Sequence, residues 1–173
     1  MDSIPVRTWY LEMSQPPQDM PDELPFDMEI TRLKNPTLSF YQYLYSQVGK
    51  GFSWFNRLLL FDDELTHIIT HEKVEIHVLY LQGVPAGFAE LDLRKENEIE
   101  LAYFGILPEF RDQGLGKPFL NQILKIAWSL QPIRVWLHTC ELDHKAAMNI
   151  YLEAGFRKYD ERMELQQLGN KED

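Results

Sequence analysis

The sequence predicts one α/β domain on a mixed sheet. Two observations carry that reading. Residues 74–81, 86–94 and 98–106 are short apolar runs joined by tight turns, the signature of an antiparallel meander. From residue 115 onward helical spacing alternates with strand-like runs, which adds strand–helix–strand–helix–strand. At 173 residues, with 45% hydrophobic and 25% charged residues, the chain suits a single core, so one domain over 1–173 is expected.

In chain order, residues 5–12 alternate around Val6, Trp9 and Leu11 and read as a first strand. QPPQDMPDELP (15–25) is too rich in proline to continue as helix or strand. MEITRL (28–33) is a short strand. Thr37 then caps a helix carrying Leu38, Tyr41, Leu44, Tyr45 and Val48, stopped by Gly49 and Gly51. After the aromatic patch FSWFNRLLLF (52–61), Asp62 or Asp63 caps a short helix through Leu65, Ile68 and Ile69. The meander follows, with turns at QGVP and at 95–97. A helix over 115–130 presents Leu120, Ile123, Leu124, Ala127 and Trp128 on one stripe. IRVWLHT (133–139) is a strand, 143–154 a helix ended by Gly155, and 156–165 a last strand before the polar tail QQLGNKED, expected to fray.

Composition narrows the function classes. Seventeen Lys and Arg against twenty-seven Asp and Glu leave a net charge of −10, which disfavours non-specific nucleic-acid binding. Cys140 is the lone cysteine, so no intramolecular disulfide forms and a reducing compartment is expected. The N-terminal stretch lacks the apolar core of a signal peptide, and nowhere do eighteen apolar residues run together, so a soluble cytoplasmic protein without a membrane span is expected.

The segment FGILPEFRDQGLGKPFL, from Phe104, poses the chemical question, because two glycines and two cations sit where a strand should become a helix. A Walker A loop would need glycine at 111 and Ser or Thr at 118, where Arg and Pro stand; a Rossmann fingerprint would need glycine at 119, where Phe stands. What remains is Arg111-x-x-Gly114-x-Gly116. Glycines there let successive amides converge at a helix N-terminus, and the dipole adds to Arg111 and Lys117, so an anion such as a pyrophosphate suits the cup. Pro118 is tolerated in a first helical turn. A plain glycine turn with solvated cations is the competing reading of this segment alone.

A second motif, Ala147-x-x-x-Tyr151-x-x-x-Gly155-Phe156, follows a strand and occupies a helix. Together the two motifs resemble the GNAT superfamily of N-acetyltransferases, and YFGILPEFRDQGLG with HTCELDH and AGF is similar to a bacterial subgroup of it. The likeness covers about 74–165 well and residues 1–73, the acceptor-side portion, loosely. It implies a single-domain GNAT acyltransferase fold, a mixed, mostly antiparallel central sheet with helices on both faces. It implies acetyl-CoA as donor, an amine acceptor (a small molecule or a peptide amino group), and no metal. It leaves a homodimer open.

Residue by residue, the resemblance assigns the pyrophosphate to the amides of Arg111, Asp112, Gln113, Gly114, Leu115, Gly116 and Lys117. It assigns the pantetheine arm to the main chain of Phe104, Gly105 and Ile106, on a strand that splays from its neighbour. Gly105 is also read as a site of close approach or a β-bulge. Tyr151 is the expected acid for the departing thiolate, and His144 stands where Asn commonly contacts the cofactor. The resemblance makes Glu100, six positions before Ile106, the expected base, and alternation from Ile106 back through Phe104 and Ala102 places it on the same face. Glu90 is its substitute or an acceptor contact, and water relays serve many relatives. A covalent route through Cys140, beside His138 and His144, is the lesser route because the thiol lies after a strand.

Trp54, Phe55, Arg57 and Tyr45 read either as an acceptor pocket or as a satellite aromatic cluster. His67 and His71 have zinc-like spacing, but Ile68 stands where hydrolytic motifs need Glu, so a solvated helix face is expected. The competing function is a non-catalytic sensor that binds coenzyme without turnover, and a longer acyl donor is a third reading.

Overall fold

The computed structural model describes residues 3–21, 24–25 and 27–168. The strands are β1 Ser3–Met13, β2 Met28–Arg32, β3 Val74–Leu81, β4 Val84–Asp92, β5 Glu98–Ile106, β6 Arg134–Cys140 and β7 Arg157–Gln167. The helices are α1 Leu38–Val48, α2 Asp62–Ile69, α3 Gly116–Ser129 and α4 Ala147–Ala154. The strands form one sheet in the order β2-β3-β4-β5-β6-β1-β7. Every neighbouring pair is antiparallel except β5–β6.

Local chemistry accounts for most element ends. The Thr37 side chain accepts from the Phe40 amide at 3.4 Å and starts α1. Gly155, at φ 110°, ends α4 in a conformation that costs other residues. Several boundaries differ from expectation: β1 and β7 run longer, and β4 starts at Val84 and ends at Asp92, so Val84 and Pro85 of the expected QGVP turn belong to the strand. The N-cap of α2 is Phe61, whose amide donates to Glu64 Oε2 at 3.0 Å. Asp62 and Asp63 lie inside the first turn, where their charges still favour the positive helix end. Helix α4 begins at Ala147 rather than 143, because Asp143 and His144 fold the preceding residues into turns. Of the tail expected to fray, Gln166 and Gln167 belong to β7, and 169–173 lie outside the described residues.

Helices cover both faces. Tyr41, Leu44, Leu65 and Ile69 of α1 and α2 pack with Val74, Ile76, Val78 and Phe88. Phe119, Leu120, Ile123, Leu124 and Ala127 of α3, with Tyr151 of α4, pack with Leu79, Leu91, Ile99, Leu101, Val135 and Leu137 on the other face. Each fully buried Leu, Ile or Phe of this kind contributes roughly 1.5–3 kcal/mol, enough to hold α3 where the glycine turn delivers it.

The place of β1 is the main departure from a simple meander. It is inserted between β6 and β7, pairing Thr8–Met13 with Cys140–Val135 on one side and Ser3–Glu12 with Gln167–Arg157 on the other. The proline-rich segment then passes from that end of the sheet to β2 at the opposite edge. On the way Met20 and Leu24 pack against the α3-side core, and Gln122 Nε2 donates to Pro21 O at 3.1 Å. No helix among the described residues is long and apolar enough to cross a membrane.

Candidate active site

Strands β5 and β6 pair only from Glu98–Arg134 to Glu100–Trp136. Beyond that point they part: β5 stays with β4 as far as Ile106, and β6 continues beside β1. The opening belongs to a cavity of about 530 Å³ that brings together Phe104, Gly105, Ile106, Arg111, Asp112, Gly114, Leu115, Gly116, Lys117, His144 and Tyr151. Of the residues singled out from the sequence for this site, Gln113, Glu100, Glu90, Phe55 and Arg57 are not among its lining residues.

The glycine turn forms one end of this cavity. Asp112 at φ 60° and Gly114 at φ 74° turn the chain, and a Cβ on Gly114 would meet only open space. The amides of Phe110, Arg111 and Phe119 donate to backbone carbonyls, whereas among the described residues no such acceptor meets those of Asp112 through Lys117. The turn thus presents a run of uncommitted donors at the start of a fourteen-residue helix. Gly116 also permits close packing, since a Cβ there would press on Ile150 Cδ1 at 3.2 Å.

Side chains around the turn are more committed than the sequence suggests. The Arg111 guanidinium donates to Val48 O at 2.9 Å and Ile106 O at 3.3 Å, and lies over the Phe52 ring. It therefore clamps the end of β5 to the C-terminus of α1, a favourable place for a cation, and adds to the cup by field rather than by contact. Lys117 approaches Glu153 at 3.7 Å with 67% of its side chain exposed, a loose pair. Gln113 Nε2 donates back to Glu109 O. His144 Nδ1 accepts the Ala146 amide at 3.1 Å, and its ring meets Phe52 edge-on.

Gly105 lines the cavity, but its close approach is to α1: a Cβ there would collide with Val48 Cγ1. The β-bulge of this strand lies elsewhere. Glu90 pairs with Tyr103 and Leu91 with Leu101, so Ala102 is the extra residue. That bulge overturns the alternation expected for Glu100. Ile99 and Leu101 share the α3 face with Phe104 and Ile106, whereas Glu100 points to the α1 face, opposite Asp92. There it lines a second cavity, of about 410 Å³, with Asp92, Arg94, Lys95, Glu98 and Trp136.

Burial, then the charges of Asp92 and Glu90, push the Glu100 carboxyl up to about 7, with Arg57 and Arg94 opposing. The side chain is 23% exposed. The sign for stability follows from linkage. The folded value lies above the ordinary 4.5, so stability falls as pH rises from 4.5 through 7. Glu100→Gln is expected to raise the unfolding free energy above pH 7 by about 1–3 kcal/mol and to change it little below pH 4.5. Urea unfolding at pH 4.5 and pH 8 measures the difference; equal effects at both would contradict it.

Glu90 is fully buried and committed. Tyr41 Oη donates to Oε1 at 2.5 Å, and Arg57 Nη2 donates to Oε2 at 2.6 Å. It reaches neither cavity, which corrects its reading as a substitute base or acceptor contact: its carboxylate anchors Arg57. Tyr151 lines the main cavity, with its ring edge-on to Phe104 and Phe156. Burial, aided by the Asp143 charge, raises its hydroxyl well above the ordinary range and keeps the proton on. The Cys140 thiol is pushed up to about 11 by burial and Asp143, the opposite of what a nucleophile requires.

Several lining residues went unassigned or were seen only dimly in the sequence. Trp54 packs with Tyr45 and Tyr103 on the β5 side, and its Nε1 donates to Asp143 Oδ1 at 3.2 Å on the β6 side. Gln166 Nε2 donates to Ser53 O at 2.9 Å. Residues 49–57 thus form a strap joining both arms of the opening. Asp143 also accepts Thr139 Oγ1 and the Cys140 amide on Oδ2. An Asp three residues after a strand's last residue is a turn-forming signal, and it was the clue available. His138 and Glu164 line the cavity as well. The His67 and His71 rings meet edge-on, and no group of three metal-ligating side chains that could hold an ion is found among the described residues.

Residues 35–156 match a family model described as the acetyltransferase (GNAT) family. Among solved structures, a GCN5-related N-acetyltransferase from Sphaerobacter thermophilus superposes with a TM-score of 0.67 at 15% identity, covering 96% of this chain and 53% of that one. The ribosomal-protein-S18-alanine N-acetyltransferase from Escherichia coli gives 0.59 at 18% identity, covering 74% of this chain and 76% of its own. An aminoglycoside acetyltransferase from an uncultured soil sample, in complex with sisomicin, gives 0.61 at 14%, covering 75% and 88%. The chain spans only about half of the Sphaerobacter protein. No curated protein sequence matches it.

Proposed function

The chain belongs to the acetyltransferase (GNAT) family, and from that premise we propose that it transfers the acetyl group of acetyl-CoA directly to an amine, either of a small molecule or of a peptide. The observation that carries this reading is the run of uncommitted amides from Asp112 to Lys117 at the mouth of the β5–β6 opening, with Tyr151 in the same cavity.

The residues present fit the coenzyme. The amide cup suits its pyrophosphate, and the field of α3 and the Arg111 charge favour an anion there. The open edge of β5 at Phe104, Gly105 and Ile106 offers main-chain groups to the pantetheine amides, and the His144 ring lines the wall beside the cup. When bound, acetyl-CoA supplies a thioester carbonyl open to an amine and a sulfur able to leave as thiolate.

The chain's own groups handle the protons. Tyr151 keeps its hydroxyl proton across the physiological range and holds it toward the cavity for the leaving sulfur. Glu100, ionised in an increasing fraction of molecules through about pH 7, is the proton sink on the acceptor side, so turnover rises through that pH. Arg57, anchored by Glu90, lies over Tyr103, a lining residue of the main cavity. Direct transfer agrees with the raised Cys140 thiol, which keeps its proton and is poorly suited to carry an acyl group.

The test is a thermal-shift and calorimetric titration with acetyl-CoA, followed by coenzyme A release across a panel of amines and peptides. Binding with amine-dependent release supports the reading. Absence of binding sinks it, and binding without release to any amine favours a coenzyme sensor.

A further inference from the structure

Glu100 is the carboxyl poised to gain a proton, yet it is absent from the lining of the cavity that holds Tyr151 and the amide cup. It lies behind the wall, in the second cavity. His138 lines the main cavity, and its Nε2 stands 3.7 Å from Glu100 Oε1. The placement follows from the sheet. Glu100 and Trp136 are the last partners before β5 and β6 part, and His138 is two residues further along β6, on the same face as Trp136.

We infer that His138 takes the acceptor's proton inside the main cavity and passes one on to Glu100, a relay that rests on the acetyltransfer reading. The ammonium N–H bond breaks with its electron pair left on nitrogen. That proton joins one ring nitrogen of His138, and the proton on the other moves to Glu100, so the ring is neutral before and after. The amine keeps the lone pair that attack requires.

The surroundings of the ring fit this task. Tyr10 of β1 and Trp136 of β6 flank it, at 5.8 and 6.5 Å between ring centres. The charged or titratable groups facing it are Glu100 from β5, Glu164 from β7, Asp143 from the turn before α4, and Tyr10 and Cys140 beside it on the sheet. Enclosure lowers its pKa below the ordinary 6.5 against the pull of Glu164 and Asp143, which leaves a neutral ring with a free lone pair. The 44% of the side chain that remains open faces a concave wall, so accessibility and enclosure coexist.

The other candidates in the cavity are occupied. Asp143 accepts from Trp54, Thr139 and the Cys140 amide. Glu164 accepts the Tyr10 hydroxyl. His144 spends Nδ1 on the Ala146 amide and lies against Phe52, the ring that Arg111 covers at the cup end. Tyr151 and Cys140 hold their protons.

Two measurements test the relay. His138→Ala should lower kcat by about 100-fold, leave the acetyl-CoA Kd unchanged and recover partly with added imidazole. Nuclear magnetic resonance of the His138 ring at pH 8, which needs neither coenzyme nor acceptor, should show the neutral tautomer with its proton on Nε2, facing the ionised Glu100, and loss of that preference in Glu100→Gln. Unchanged kcat in His138→Ala, or a His138 tautomer at pH 8 indifferent to Glu100→Gln, overturns the relay while leaving acetyltransfer standing. A wild-type chain that does not bind acetyl-CoA overturns both.

Discussion

Gly114→Asp is expected to weaken acetyl-CoA binding by at least about 100-fold, an effect of roughly 3 kcal/mol drawn mainly from charge repulsion in a partly desolvated cup. Geometry isolates that cause. A Cβ on Gly114 meets open space, so bulk alone is accommodated. The φ of 74° taxes most side chains, but Asp and Asn tolerate the left-handed region best, and Asp112 already sits at 60° in the same turn. What Asp adds is a carboxylate among amides that otherwise face an anion. Gly114→Asn, similar in shape and uncharged, should therefore bind within about tenfold of the parent, since only backbone strain and modest crowding remain. Calorimetric titration of the three chains measures this. Equal affinity for Asp and Asn would remove the pyrophosphate from the cup.

Tyr151→Phe should lower kcat by about 100-fold, within the range for loss of a positioned acid, while the acetyl-CoA Kd stays within about twofold. The ring contacts to Phe104 and Phe156 survive the substitution, so thermal stability should change by less than about 1 kcal/mol. Burial and Asp143 keep the hydroxyl protonated, so the parent's rate should show no fall from Tyr151 ionisation up to about pH 9. A Phe variant with parental kcat would leave the tyrosine as packing only.

Much of the site was legible because its signals are local. Gly114 needs only its own φ, and the amides of 112–117 need only the start of α3. Tyr151 was singled out through the resemblance that its motif carries, and the whole cup lies within seven residues. Glu100 was legible as a residue but not as a position, because period-two alternation fails across the bulge at Ala102, which turns it to the other face. His138 and Asp143 carry no motif; they matter through neighbours on β5, the strap and α4.

By itself the sequence determined the kinds of elements, most of their bounds to within two residues, the glycine turn, and the choice between helix and strand at each stretch. Those properties depend on caps, turn residues and apolar spacing within a few residues. Only the tertiary structure decided that β1 slips between β6 and β7, that Glu100 lies behind the wall, and that the strap of 49–57 reaches across to Asp143. Strand partners and cross-cavity contacts join residues up to 150 or more positions apart, as Tyr10 and Glu164 are. Their selection rests on which surfaces bury one another, a property no window of neighbouring residues contains.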